Sequence, residues 1–344
     1  MKYIHEFRNR AAAGRIATAI SELSANLDPE RTIRIMEVCG THTMAIARYA
    51  INNVLPNNVE VISGPGCPVC VTDPGYIDAA IELARKGCII TTFGDMINVP
   101  GTSSTLAECR AEGGKVEICY SPEKALSIAD DNPDKEVVFL AIGFETTISP
   151  VTSIVRLAET SGAKNISLLT AFKVIPPGLI ALVQDPELQI DAFLCPAHVS
   201  AIIGTAPYQT FARDYAKPCV IAGFEPLDIL YGIEGILRQI TEGEPMVENQ
   251  YSRVVKPGGN PTALALMAQY LEPCDAWWRG LGPINHSGMK LREQFASCDA
   301  SKKHNIPIRH GRLNPQCLCG EVIKGKIKPV QCPMFATACT PDRP

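Results

Sequence analysis

Val59-Glu60-Val61-Ile62-Ser63-Gly64-Pro65-Gly66-Cys67-Pro68-Val69-Cys70, with Asp73-Pro74 close behind, is the stretch on which the reading of this chain turns. Val59 to Ile62 is a short, β-rich run of strand length. Gly and Pro break it into a loop, and Asp73 and Pro74 are the cap and first-turn residues of a helix. Apolar residues at Ile77, Ala80, Ile81 and Ala84 carry that helix onward with one buried face. Strand, loop and helix in that order place both thiols at the carboxyl end of a strand. A thiol near a helix N-terminus ionises more easily, which favours Cys70 and then Cys67 as thiolates. A C-x-x-C pair by itself serves zinc knuckles and redox motifs alike.

The same alternation extends in both directions. Strand runs Ile33 to Val38, Val59 to Ile62, Cys88 to Thr92 and Val116 to Cys119 form one set; Val137 to Ile142, Ile166 to Thr170, Ala192 to Cys195 and Cys219 to Ala222 form another. The second set starts 103 to 107 residues after the first, member by member. Alternating strands and helices imply parallel sheets covered by helices. The expected architecture is therefore α/β: two similar parallel-sheet domains, 30–130 with the thiol site and 131–225 as its repeat, plus a mainly helical, cysteine-rich domain from 1–29 with 226–344. Residues 1–27, Ala263 to Leu271 and Met289 to Ser297 carry its helical patterns.

Ligands of open parallel sheets bind at the strands' carboxyl ends. Cys39 leaves the first strand and Cys67 with Cys70 the second, so neighbouring strands would bring three thiols into one crevice. His42, in the first helical turn after Cys39, is placed to hydrogen-bond a bound group or carry a proton. Asp95, Glu145 and His198 occupy comparable loops, where a cap or turn role competes with a chemical one.

Composition narrows the class. An apolar fraction of 46% and a charged fraction of 20% over 344 residues describe a globular chain. A net charge of -4 without basic runs argues against nucleic-acid binding. Charges interrupt any signal-peptide core near the N-terminus, and apolar runs stay far short of the ~18 to 20 residues a membrane helix needs. A cytoplasmic protein with no membrane role is expected. Fourteen cysteines are many for a reducing compartment and point to metal or redox chemistry. Cys88, Cys109, Cys119, Cys195 and Cys219 read as core residues. Cys317, Cys319, Cys332 and Cys339 form a second constellation, whose four thiolates suit zinc or an iron–sulfur cluster; their irregular spacing favours a 4Fe–4S cluster.

Cys39-Gly40-Thr41-His42, Gly64 to Cys70, Gly143-Phe144-Glu145-Thr146-Thr147, Pro196 to Thr205, Gly223 to Leu230 and the four tail cysteines together resemble the hydrogenase maturation factor HypD family. The resemblance implies a redox-active assembly scaffold, monomeric when alone, that builds the Fe(CN)2CO group of nickel–iron hydrogenases with a HypC-type chaperone and a HypE-type cyanide donor. By position it implies that Cys39 binds the iron under assembly, an iron with cyanide and carbon monoxide ligands, and that Cys67 and Cys70 are a redox pair beside it. It makes Cys317, Cys319, Cys332 and Cys339 the ligands of a 4Fe–4S cluster. An iron–sulfur-dependent disulfide reductase is the alternative, one that leaves Cys39 and His42 without a task. A zinc-stabilised nucleotide-binding protein is weaker still, since no strand leads into a phosphate-binding glycine motif.

Overall fold

The computed structural model describes residues 6–312 and 314–340. Its strands are β1 Ile33–Glu37, β2 Val59–Ser63, β3 Ile89–Thr92, β4 Val116–Ile118, β5 Val137–Gly143, β6 Ile166–Lys173, β7 Ala192–Pro196, β8 Cys219–Ala222, β9 Val247–Asn249, β10 Leu271–Trp278 and β11 Gly282–Leu291. The chain folds into two units, one of Met1–Cys67, Gly178–Pro261 and Glu321–Lys326, the other of Pro68–Pro177, Thr262–Gly320 and Ile327–Pro344.

The first unit holds a parallel sheet in the order β2-β1-β7-β8-β9. Ile33 and Ile35 of β1, Leu194 of β7 and Val220 and Ala222 of β8 form its core with Ile16 and Ile20 of helix Arg10–Ala25 and with Ile229, Ile233, Ile236 and Leu237 of helix Pro226–Glu242. Burying one such side chain stabilises by roughly 1.5–3 kcal/mol, which is why these amphipathic helices lie on the sheet. Gly232 lets the second helix come close: a Cβ there would stand 2.7 Å from Leu194 Cδ1.

The second unit holds the order β10-β11-β6-β5-β3-β4, in which β6, β5, β3 and β4 run parallel and β11 pairs antiparallel with both β6 and β10. All seven residues of β5 are buried, as expected of a central parallel strand covered on both faces. Ile90, Val138, Leu140 and Leu169 pack with Ile77, Ala80, Ile81 and Ala84 of helix Pro74–Arg85, the apolar face anticipated from sequence. Asp73 caps that helix by accepting from Gly75 N at 2.8 Å.

The α/β class and its two mainly parallel sheets are as expected, and so are the eight strand positions. Sheet membership is not. The strands expected to pair within 30–130 and within 131–225 are shared out: β3 and β4 join β5 and β6, while β7 and β8 join β1 and β2. Periodicity identifies a strand, but its partner is chosen by long-range packing, so the repeat in sequence is not two consecutive sheets.

A second correction concerns 226–344. Met289 lies in β11, and the residues after it form a short 3-10 segment, Glu293–Cys298, in place of the expected helix. The alternating burial along β10 and the left-handed glycines 280 and 282, with φ +83 and +82, make a hairpin there. The expected helices at the N-terminus and near Ala263 are present as Arg10–Ala25 and Pro261–Tyr270, although residues 1–5 lie outside the described residues. Cys88, Cys109, Cys119, Cys195 and Cys219 are all buried, as their apolar surroundings required. No described helix is long and apolar enough to cross a membrane.

Candidate functional site

Because β1 and β2 are neighbours in register, Glu37 opposite Ser63, the loops leaving them lie side by side in the first unit. Cys39 is extended, with φ -152 and ψ 121, and precedes helix Gly40–Arg48; its carbonyl accepts from His42 N at 2.8 Å and Thr43 N at 3.2 Å. The second loop is pressed onto it. A Cβ on Gly66 would fall 2.3 Å from Cys39 N, and Gly40 N donates to Gly66 O at 3.3 Å. Only glycine fits where two backbones touch in this way. Cys67 follows at once and is joined to Cys70 in a disulfide. The helix-start cysteines expected to favour the thiolate are thus oxidised here.

Burial pushes the Cys39 thiol up, against the amides of Thr41 and His42, which donate to its sulfur. Glu37, which the sequence reading passed over, organises this turn. Its buried carboxyl accepts from Cys39 N at 3.0 Å and from the Thr43 hydroxyl, and its carbonyl accepts from Gly64 N at 2.8 Å, so one residue holds both loops. Burial pushes that carboxyl up, while the Thr43, Cys39 and Ser63 hydrogen bonds pull the other way. The signal was present in the sequence: an acidic residue set between the apolar Ile35-Met36 and Val38 at the end of the strand run.

His42 is fully buried, and its Nε2 donates to the carbonyls of Ala222 and Gly223, both at 3.0 Å. That fixes the tautomer and leaves Nδ1 as a bare, buried acceptor with no hydrogen-bond partner among the described residues. Burial pulls the imidazole down to about 4, so it is neutral at pH 7. Phe224 lies between His42 and His198, its ring 4.8 Å from that of the first and 4.2 Å from that of the second. His198 therefore belongs to the surroundings of His42.

Asp95 and Glu145 follow β3 and β5 in the second unit. Glu145 is fully enclosed; Oε1 accepts from Ile175 N at 3.0 Å, and Oε2 has no partner among the described residues. Burial raises this carboxyl to about 7 and also pushes Asp95 up.

The tail cysteines also belong to the second unit. Cys319 donates to Cys317, and this bond, which outweighs the opposing effect of burial, pulls the Cys317 thiol down to about 5, helped by the Cys319 amide and then by the Arg279 guanidinium. Cys319 is pushed up by the same bond, by burial, and by the charges of Cys317 and Cys339. Cys332 and Cys339 share one turn, with Phe335 N donating to Cys332 O at 3.0 Å and Cys339 N to Met334 O at 2.8 Å. Among the described residues no three Cys, His, Asp or Glu side chains are gathered as a ready metal site. The donor chemistry still fits a thiolate-bound cluster, since Arg279 Nη2 donates to Cys317 Sγ at 3.6 Å and its buried Nε has no partner among the described residues. Arg279 is the second residue that the sequence reading missed; no motif marks it.

A family model described as "HypD: Hydrogenase formation hypA family" matches residues 12–344. The chain is 45% identical over 352 residues to a protein of Azotobacter vinelandii named hydrogenase maturation factor HypD, covering 100% of this chain and 92% of that one. It is 43% identical over 353 residues to a factor of the same name from Rhizobium leguminosarum bv. viciae, covering 100% and 91%. It is also 40% identical over 336 residues to a putative hydrogenase expression/formation protein of Methanocaldococcus jannaschii, covering 98% and 93%.

Proposed function

Because the chain belongs to the HypD family of hydrogenase maturation factors, we propose that it is a redox-active scaffold for assembling the Fe(CN)2CO group, working in the cytoplasm with a HypC-type chaperone and a HypE-type cyanide donor. The observation that carries this reading is the packing of the Gly66-Cys67 backbone onto Cys39, which puts a thiol ligand and one sulfur of an exchangeable disulfide on adjoining loops.

Cys39 is the ligand for the substrate iron, shared with a cysteine of the chaperone; a soft thiolate suits an iron that also binds cyanide and carbon monoxide. His42, neutral at pH 7, presents its bare Nδ1 as a hydrogen-bond acceptor at that site. The Cys67–Cys70 disulfide takes up two electrons and two protons to become a dithiol, and returns them on reoxidation. Cys317, Cys319, Cys332 and Cys339 are the residues that would hold a 4Fe–4S cluster. When bound, such a cluster supplies electrons singly.

Two substitutions test the reading in anaerobically purified protein carrying its chaperone. Cys39→Ala should keep the visible absorption of the cluster and lose the infrared bands of iron-bound cyanide and carbon monoxide; bands that persist would remove Cys39 from its role. Cys317→Ala should abolish the cluster absorption, and an intact spectrum would place the ligands elsewhere. Catalytic reduction of a protein disulfide by the chain alone would favour the reductase reading.

A further inference from the structure

The hairpin between β10 and β11 turns at Arg279 and Gly280, with Leu281 N donating to Trp278 O at 3.0 Å. Trp278 is fully buried, and its Nε1 donates to Ser287 Oγ at 2.8 Å, so the turn is anchored to the hairpin. Two other segments of the second unit meet this turn. Arg279 N donates to Val71 O at 2.8 Å, one residue beyond Cys70. A Cβ on Gly280 would stand 2.5 Å from Gly320 Cα, so the turn abuts the backbone next to Cys319. The Arg279 side chain reaches Cys317 Sγ through Nη2 at 3.6 Å, leaving Nε buried and without a partner among the described residues.

A buried guanidinium N–H left unpaired is destabilising, so its retention calls for an acceptor. The side chain acts on two thiols, those of Cys317 and Cys319, and an arginine held by its own backbone presents its donors in a fixed fork. We propose that Arg279 is the positioning residue of the tail thiol centre: its amide ties the turn to the segment that follows Cys70, Nη2 orients Cys317, and Nε–H is the donor for a further sulfur of that centre, a thiolate or an inorganic sulfide.

The sulfide arm rests on the cluster reading above. Hydrogen bonds to cluster sulfurs and nearby positive charge both favour the reduced, more negative state. Removing Arg279 should therefore shift the cluster potential downward without removing a ligand.

The test compares the full chain with Arg279→Gln and Arg279→Lys. In cluster-loaded protein, a redox titration followed by visible absorption should show a negative shift of the midpoint for Arg279→Gln and a smaller one for Arg279→Lys, at unchanged iron per chain. In metal-free protein at a pH well above the ordinary thiol range, where Cys317 is ionised in either chain, its alkylation by iodoacetamide, followed over time by peptide mass, should be faster in Arg279→Gln than in the unsubstituted chain, because the guanidinium no longer holds the sulfur. Should Arg279→Gln fail to fold, Arg279→Lys carries both measurements, since it keeps the charge and loses the fork. Midpoint and alkylation profile both unchanged would overturn the proposal. An unsubstituted chain that takes up no cluster defeats the cluster reading instead, and the alkylation profile then decides the role of Arg279 by itself.

Discussion

Cys39 and Cys317 are both cysteines beside hydrogen-bond donors, yet their surroundings drive them in opposite directions. At Cys39 burial outweighs two helix-start amides and pushes the thiol up. At Cys317, half-buried, a neighbouring thiol and a guanidinium outweigh burial and bring it down to about 5. The helix N-terminus is therefore not what decides ionisation here. Desolvation and, at Cys317, the hydrogen bond from the neighbouring thiol are the larger effects, and backbone amides and the guanidinium adjust the outcome. The first region is built to keep a thiol protonated until something displaces the proton, the second to hold negative sulfur at rest.

The largest test of that contrast is Gly66→Ala. Its Cβ would overlap the Cys39 backbone, which cannot yield as a flexible side chain would. A loss of about 3 kcal/mol is expected in urea unfolding, at the upper end for overpacking, together with loss of protection of Cys39. The tail thiols should react as before; a parallel change in Cys317 would show that the two regions are not independent.

A comparable effect separates the buried acids and bases of the two units. Between pH 4.5 and about 7 the folded protein keeps the Glu145 proton that the unfolded chain has released, so this group's stabilisation is present below pH 4.5 and is lost as the pH rises to 7. His42 has the opposite sign: between pH 6.5 and about 4 the unfolded chain binds a proton that the folded site refuses, so stability falls with the pH. Glu145→Gln should remove a loss of about 3 kcal/mol between the two limits of its window, at ~1.4 kcal/mol per pH unit, read from urea midpoints across pH. An unchanged pH dependence would mean that Glu145 is solvated in the folded state.

The smallest expected effect is also the most direct. In metal-free protein, alkylation of Cys317 should level off above about pH 6, because the thiol is already ionised, whereas that of Cys39 should still be rising at pH 9. Matching profiles would dissolve the contrast.

The residues that define the candidate site were legible because their chemistry is written in residue type and spacing. Cys39 and His42 stand where a strand run meets a helix start, and Gly64-Pro65-Gly66 announces a loop that side chains cannot crowd. Glu37 was hidden by appearing to be one more strand residue, although a carboxyl at an apolar strand's end has to be paid for with hydrogen bonds, which it has. Arg279 could not be found, because its role depends on a hairpin turn meeting Val71 and Gly320, residues about 200 and 40 positions away.

Sequence by itself determined the family, the α/β class, the strand positions and the helix faces, since periodicity and short motifs act over a few residues. Tertiary structure alone decided which strands share a sheet, that Met289 lies in a hairpin strand, which nitrogen of His42 is left bare, and which thiols carry charge. Those outcomes depend on burial and on partners distant along the chain, and neither is a property of any local stretch.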